Sequence, residues 1–358
     1  MKMEQEKILN EEELHGVIRK LLNLVILLSV TIVLIPIVIL SIRFFEKKKS
    51  AGERVEEVKV IEQAQPELKP IANFWMAPDV NAITDASLKA QIEYGKDLIA
   101  HTAKYLGPNG SVAQMTNGLN CQNCHLNAGT KVYGNNYGSV ASTYPKLRAR
   151  SGSVENIYKR VNDCFERSLN GQALDTTSKE MQAIVAYINF LGSNVEKGKK
   201  AEGSGFKDLG YLERAADPKK GKLVYETKCQ SCHQPGGNGL LNPSKTEYTF
   251  PPLWGTASYN DGAGLYRLSN FAKYVKYNMP QGASHESPQL TDEEAWDVAA
   301  FVNSQPRPHI NVPQDWPDKS KKPVDHPFGP YKDNFTEKQH KFGPFQPIVD
   351  EQKKNAKK

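Results

Sequence analysis

Apolar positions change their pattern along this chain. From Leu21 to Ile42 they are almost unbroken, and at about 1.5 Å rise per residue such a run reaches across a hydrocarbon layer about 30 Å thick. It is longer than the apolar stretch of a cleavable leader and is followed by Arg43 and Glu46-Lys47-Lys48-Lys49, so an uncleaved transmembrane anchor is expected over 21–42. Residues 43–80 are charged, dotted with proline and aperiodic, the pattern of a tether. Beyond them apolar residues recur at helical spacing, and Met181 with Ile184, Val185, Ile188 and Leu191 forms one such stripe.

The periodic part reads as one plan used twice, over 81–197 and 205–308, joined by a Gly/Lys-rich linker at 198–204. Gly95-Lys96-Asp97-Leu98-Ile99 in the first copy is echoed by Gly221-Lys222-Leu223-Val224 in the second. Near the end of each copy, Thr177-x-x-Glu180 and Thr291-x-x-Glu294 are capping-box patterns. They open helices carrying Ile184-Val185-Ala186-Tyr187-Ile188-Asn189 and Val298-Ala299-Ala300-Phe301-Val302-Asn303. Residues 309–358 turn aromatic, basic and proline-rich. Repeated proline argues against regular helix, and the aromatics argue against a disordered tail, so an extended strap over the domains is expected.

Each copy carries one Cys-x-x-Cys-His site, Cys121-Gln122-Asn123-Cys124-His125 and Cys229-Gln230-Ser231-Cys232-His233. Two thiols one turn apart can bond both vinyl groups of one porphyrin while the adjacent histidine reaches the iron, which is the chemistry of covalent c-type haem. A zinc site made from the cysteines alone would leave both histidines unexplained. With an early helix, an attachment site, a middle segment and a closing helix, each copy resembles the class I cytochrome c fold. The expectation is a mainly α protein: two consecutive cytochrome c-like domains with one covalently bound haem c each, behind an N-terminal transmembrane helix. Because c-type haem is attached on the outer side of the bacterial membrane, the resemblance puts everything after Ile42 on the periplasmic or outer side and residues 1–20 in the cytoplasm.

A second axial ligand generally comes from between the attachment site and the closing helix. In the second copy Met279 stands there, within Asn278-Met279-Pro280-Gln281-Gly282, with His285 as the competing donor. The first copy has no methionine at that place: Met181 belongs to the core stripe and Met115 precedes the attachment site. Cys164, the unpaired fifth cysteine, lies 25 residues before Asn189, much as Met279 lies 24 before Asn303. It reads as a thiolate ligand, the alternative being a small buried thiol. A thiolate lowers a haem's potential and a thioether raises it, so the pair would run from low to high.

Around Cys164, the residues Val154, Ile157, Tyr158, Val161, Phe165 and Leu169 form a helical stripe with Gly171 placed to end it. Arg160, Cys164 and Ser168 follow at i, i+4 and i+8 in a row beside it, and Arg148 and Arg150 stand just ahead. A guanidinium one turn from a cysteine favours thiolate and offers a fork of donors to an oxyanion. This combination suits redox chemistry on a small sulfur oxyanion. The formal net charge of +6 is small for 358 residues, and no aromatic-interleaved basic stripe is present, so nucleic acid is not an expected partner.

Three longer strings carry a closer likeness. They are Asn117-Gly118-Leu119-Asn120-Cys121 through Leu126-Asn127-Ala128-Gly129-Thr130, Tyr144-Pro145-Lys146-Leu147-Arg148-Ala149-Arg150-Ser151-Gly152, and Asn162-Asp163-Cys164-Phe165-Glu166-Arg167-Ser168-Leu169-Asn170-Gly171. With Asn278-Met279-Pro280 and the tail's Gln339-His340-Lys341-Phe342-Gly343-Pro344-Phe345, the chain from about Tyr94 onward resembles the dihaem thiosulfate dehydrogenase family. The resemblance implies oxidation of two thiosulfates to tetrathionate at a His125/Cys164-ligated haem, with electrons leaving through a His233/Met279-ligated haem. By matching positions, Arg150, Arg160 and Ser168 hold the substrate. Some family members have lysine beside the distal methionine, where this chain has Asn278. The implied partners are thiosulfate and tetrathionate, an external acceptor such as a small cytochrome c or a membrane-bound oxidase chain, and the membrane through the N-terminal helix. Two alternatives stay open: tetrathionate reduction by the reverse reaction, and a non-catalytic dihaem electron-transfer subunit.

Overall fold

A computed structural model describes residues 73–355 continuously and, ahead of them, residues 15, 16, 18–26, 28, 29 and 35, which are helical. Residues 1–70 and 71–358 form separate compact units. The anchor expected over 21–42 is corrected by the first unit: among the described residues no helix is long and apolar enough to cross a membrane. Within the expected span, residues 27, 30–34 and 36–42 lie outside the described residues. The membrane-anchored localisation and the membrane partner drawn from that helix do not stand. Of the expected tether, 43–72 lies outside the described residues, but its end is folded: Trp75 is buried and its indole N–H donates to Asn194 Oδ1 at 2.9 Å.

The second unit is mainly helical. Its first half holds α1 (Ala86–Ala100), a hairpin of β1 (Lys146–Arg148) and β2 (Ser153–Glu155), α2 (Ile157–Arg167) and α3 (Lys179–Leu191). The second half holds α4 (Pro218–Lys228), a hairpin of β3 (Leu240–Leu241) and β4 (Tyr248–Phe250), α5 (Leu268–Asn278) and α6 (Asp292–Ser304). In the tail come α7 (Glu337–Phe342) and α8 (Gln346–Asn355). Each half has its own apolar core, one around Leu98, Phe165 and Ile184, the other around Tyr225, Phe271 and Trp296.

The glycines echoed between the copies sit where the early and closing helices cross. A Cβ on Gly95 would stand 2.0 Å from the Ala183 carbonyl oxygen, and one on Gly221 would stand 1.8 Å from that of Asp297. Only glycine allows α1 to lie on α3, and α4 on α6, at that distance. The closing helices begin differently. Thr291 and Glu294 form the expected capping box, but α3 is capped by Ser178, whose Oγ accepts the Met181 N–H, and Glu180 instead accepts from Tyr94 Oη at 2.9 Å.

Two other expectations shift. Val154 belongs to β2 and is exposed, because the chain first turns back as a hairpin at Arg148-Ala149-Arg150-Ser151-Gly152 and α2 starts only after its cap, Asn156. Gly152 takes φ +68°, the left-handed geometry that makes the turn. The helical stripe is otherwise kept, with Ile157, Phe165 and Leu169 buried. The strap is also less extended than its prolines suggest. Pro347 falls in the first turn of α8, where no intrahelical N–H is required, and Phe345 and Ile348 enter the second core.

Asp325 fastens the strap. Its buried carboxylate accepts from Arg267 Nε at 2.9 Å and Nη2 at 2.6 Å, and from the Ser269 backbone N–H at 3.0 Å. Burial opposes its ionisation, but the Arg267 guanidinium and the Ser269 donors outweigh this and hold the carboxyl below its usual range. A lowered carboxyl contributes stability that is present above its unfolded pKa of about 3.9 and is lost as pH falls through the lower folded value. Asp325→Asn leaves Arg267 without its buried partner and is expected to lower unfolding stability at pH 7 by about 3 kcal/mol. Urea titration followed by circular dichroism at pH 7 and again below pH 3 checks this, and the gap between variant and wild type should shrink at the lower pH.

Candidate active site

The first Cys-x-x-Cys-His site is shaped by buried amides and a hydroxyl. The Thr102 hydroxyl accepts from the Cys121 N–H at 3.0 Å, and Asn120 Oδ1 accepts from the Ala103 N–H at 2.8 Å. Cys121, Cys124 and His125 line a cavity of about 320 Å³, walled by Leu119, Tyr137, Phe165 and Ile188. His125 Nδ1 lies 2.6 Å from the Asn135 carbonyl oxygen, which can only accept. The proton therefore sits on Nδ1, and Nε2 keeps its lone pair for a metal. The linker 198–204 is pinned beside this cavity, where the Gly203 carbonyl accepts from the Tyr133 N–H at 2.7 Å and from Asn136 Nδ2 at 2.8 Å.

The second site repeats the device. Cys229, Cys232, His233 and Met279 line a cavity of about 520 Å³. His233 Nδ1 lies 2.8 Å from the Pro251 carbonyl oxygen, again leaving Nε2 as the free lone pair. Met279 follows the last residue of α5. The competing donor, His285, is absent from the lining and packs edge-on against Phe74, at 4.9 Å between ring centroids, and Tyr133, at 5.1 Å. Leu119 and Cys124 line both cavities, so the two sites share a wall, and Tyr274 of the second half donates to the Asn123 carbonyl at 2.6 Å across it.

Cys164 stands in the first cavity with His125 and has a partner the other cysteines lack: Arg160 Nη1 donates to its Sγ at 2.9 Å. Burial, with a smaller push from the neighbouring Cys164, raises the thiols of Cys121 and Cys124 to about 12. The same burial acts on Cys164, but the Arg160 guanidinium is the largest influence against it and the thiol comes down to about 6. Met181 is wholly buried in the first core and Met115 packs at its edge, so neither competes with Cys164.

Behind Cys164 opens a second, smaller cavity of about 150 Å³ lined by Arg148, Arg150, Arg160, Arg167, Arg267 and Trp316, with Ser168 beside them. Cys164, Arg160, Arg148 and Ser168 belong to both linings, so a single thiolate borders the porphyrin-sized cavity and the cationic one. The arginines are crowded: burial and the neighbouring Arg167 pull Arg150 down to about 10. The structure thus brings together Cys164, Arg150, Arg160 and Ser168. Sequence reasoning missed Arg167, three residues past Cys164 on the same helix, which the helical spacing could have found. Arg267 and Trp316 come from the other half and the strap, and no local pattern marks them.

Residues 111–196 match the SoxA/TsdA cytochrome c domain, and residues 218–306 match cytochrome c. The chain is 38% identical over 242 residues to a thiosulfate dehydrogenase of Psychrobacter arcticus, covering 67% of this chain and 71% of the relative. It is 36% identical over 240 residues to one from Allochromatium vinosum, covering 66% and 85% respectively. This chain belongs to the thiosulfate dehydrogenase family. A solved structure of a thiosulfate dehydrogenase (TsdBA) from Marichromatium purpuratum, in its "as isolated" form, superimposes with TM-score 0.61 at 30% identity. That likeness covers 66% of this chain and 50% of the solved one, so the chain spans half the length of that protein.

As a member of the thiosulfate dehydrogenase family with two cytochrome c domains, the chain carries two c-type haems, and the paired thiols and tautomer-fixed histidines fit them. Replacing both cysteines of one pair by alanine should remove one covalent haem and leave the other. In-gel haem staining after denaturation is expected to fall to about half, with either pair, if each holds one haem.

Proposed function

We propose that this chain oxidises two thiosulfates to tetrathionate in the space between Cys164 and the arginines behind it. The observation that carries the reading is the position of Cys164, a half-buried sulfur 2.9 Å from Arg160 that lines both the first haem cavity and the arginine-lined cavity. An electron carrier requires neither that thiolate nor five arginines around a closed space. In this reading Cys121, Cys124, Cys229 and Cys232 attach the haems, His125 and Cys164 face the first iron, and His233 and Met279 face the second. When bound, the haems act as one-electron acceptors, lower in potential beside Cys164 and higher beside Met279, and pass electrons to an external acceptor such as a small cytochrome c or an oxidase chain.

The chain's own residues bind and orient. Arg160, Arg150 and Ser168 hold sulfonate oxygens by charge-assisted hydrogen bonds and present the outer sulfur of a thiosulfate to Cys164. The Cys164 thiolate and that outer sulfur give up two electrons together and form a sulfur–sulfur bond. The outer sulfur of a second thiosulfate then attacks the sulfur attached to Cys164, tetrathionate departs, and the thiolate is restored with the bonding pair. No proton is exchanged, because each sulfur reacts as an anion. The wall shared at Leu119 and Cys124 keeps the route from the first cavity to the second short.

Cys164→Ser is expected to keep both haems covalently attached by the pyridine haemochrome assay, while thiosulfate-dependent reduction of an acceptor falls at least about a hundredfold. Undiminished turnover would refute the assignment of Cys164.

A further inference from the structure

The arginine-lined cavity has a wall that the reaction described above does not use. It comes from the strap, where Asp315 and Trp316 cross the hairpin turn and the end of α2. Asp315 accepts from both terminal nitrogens of Arg167 at 2.9 Å, and the Trp316 backbone N–H donates to the Arg150 carbonyl at 2.6 Å. The Trp316 ring lies 5.7 Å from the Arg150 guanidinium. With φ +58°, Trp316 occupies a backbone region that bulky side chains rarely adopt, a strain that persists where contacts on both sides impose it and that gathers at ligand clamps.

Trp316 also carries an unpaired donor. Its indole N–H is shut off from solvent and has no acceptor, as are the Nε groups of Arg150 and Arg167 in the same cavity; the Asp315 carboxylate is 3.9 Å from Arg150 Nε, beyond hydrogen-bond length. The more deeply buried Trp296 and the equally buried Trp75 both have acceptors, the Gly210 carbonyl and Asn194, each at 2.9 Å. An indole only donates, and so do the guanidinium groups around it; the one carboxylate in the lining, Asp163, is held by Lys159 at 2.6 Å, which leaves these three N–H groups to an acceptor that enters the cavity.

We propose that Trp316 is a specificity-determining residue of this site: with Arg150 and Arg167 it forms an oxyanion subsite, and its indole N–H donates to a sulfonate oxygen of bound thiosulfate. The inference rests on the thiosulfate reading and adds to it a strap residue that selects an oxyanion through an uncharged donor. Trp316→Phe keeps a ring beside Arg150 and removes only the N–H. In the holoenzyme it should raise the thiosulfate KM about tenfold, the loss of one hydrogen bond to a charged group, while kcat changes less than about threefold. Calorimetric titration of thiosulfate into Cys164→Ser, with and without Trp316→Phe, should show the same weakening in the absence of turnover. Ultraviolet resonance Raman of the Cys164→Ser protein provides a reading that needs no change at Trp316: adding thiosulfate should shift the indole N–H band. Unchanged KM and affinity in Trp316→Phe, or a band that stays in place while thiosulfate binds, overturns the role of Trp316 and leaves the oxidation reading intact. A wild-type holoenzyme that neither binds nor oxidises thiosulfate overturns both.

Discussion

A thiolate withdrawn from water depends on a guanidinium beside it, and the Arg160–Cys164 contact at 2.9 Å is where the chemistry and architecture of this protein meet. Desolvation opposes ionisation of every cysteine in the first cavity, as the raised thiols of Cys121 and Cys124 show. Cys164 escapes because α2 delivers Arg160 one turn away on the same face, so the attraction is built into the helix and needs no distant alignment. The helix must therefore be held rigidly. Asn156 caps its start, Ile157 and Phe165 anchor it in the core, and Asn162 exchanges two hydrogen bonds with the Leu174 backbone at 3.0 and 2.9 Å.

Concentrating arginines near that thiolate creates an electrostatic problem that one domain does not solve. Burial and the neighbouring Arg167 pull Arg150 down, with little water left to screen the charges. Glu155 stands 3.8 Å from Arg148 within the hairpin, and the other counter-charges come from afar in sequence: Asp315 meets Arg167, 148 positions away, and Asp325 meets Arg267. The strap is thus an electrostatic part of the site, and its aromatics fix it to the second core so that the carboxylates stay in register. Because Asp315 takes the terminal nitrogens of Arg167 and leaves its Nε, like that of Arg150, unpaired, the cavity remains able to take an anion.

How much of this was legible along the chain follows from how local each feature is. The attachment sites and the i, i+4 pairing of Arg160 with Cys164 are set by near neighbours and could be read directly, whereas the echoed glycines showed a repeat without showing that helices cross there. The hairpin that turns Val154 outward was not, because its residues also satisfy a helical period and only the Arg148–Gly152 turn decides between them. The strap's last helix was obscured by Pro347, which falls in its first turn. Arg267 and Trp316 reach the site only through tertiary contacts between the halves and the tail, which no local period encodes. The apolar run from Leu21 satisfied a length criterion, yet among the described residues it does not yield a spanning helix.

The two halves share one plan and part where each places a sulfur after its attachment site. In the second half Met279 lies just beyond the C-terminus of α5, in a cavity whose charged lining amounts to Lys131 and Lys228. A neutral thioether there needs no cation, and the space behind it holds no cluster of guanidinium groups. In the first half Cys164 stands inside α2, which places Arg160 one turn earlier and Ser168 one turn later around the sulfur. That shift of the sulfur from helix end to helix interior brings a row of side chains with it. On the proposed reading, this row is what makes the first copy a site for anions, while the second keeps a geometry suited to passing electrons.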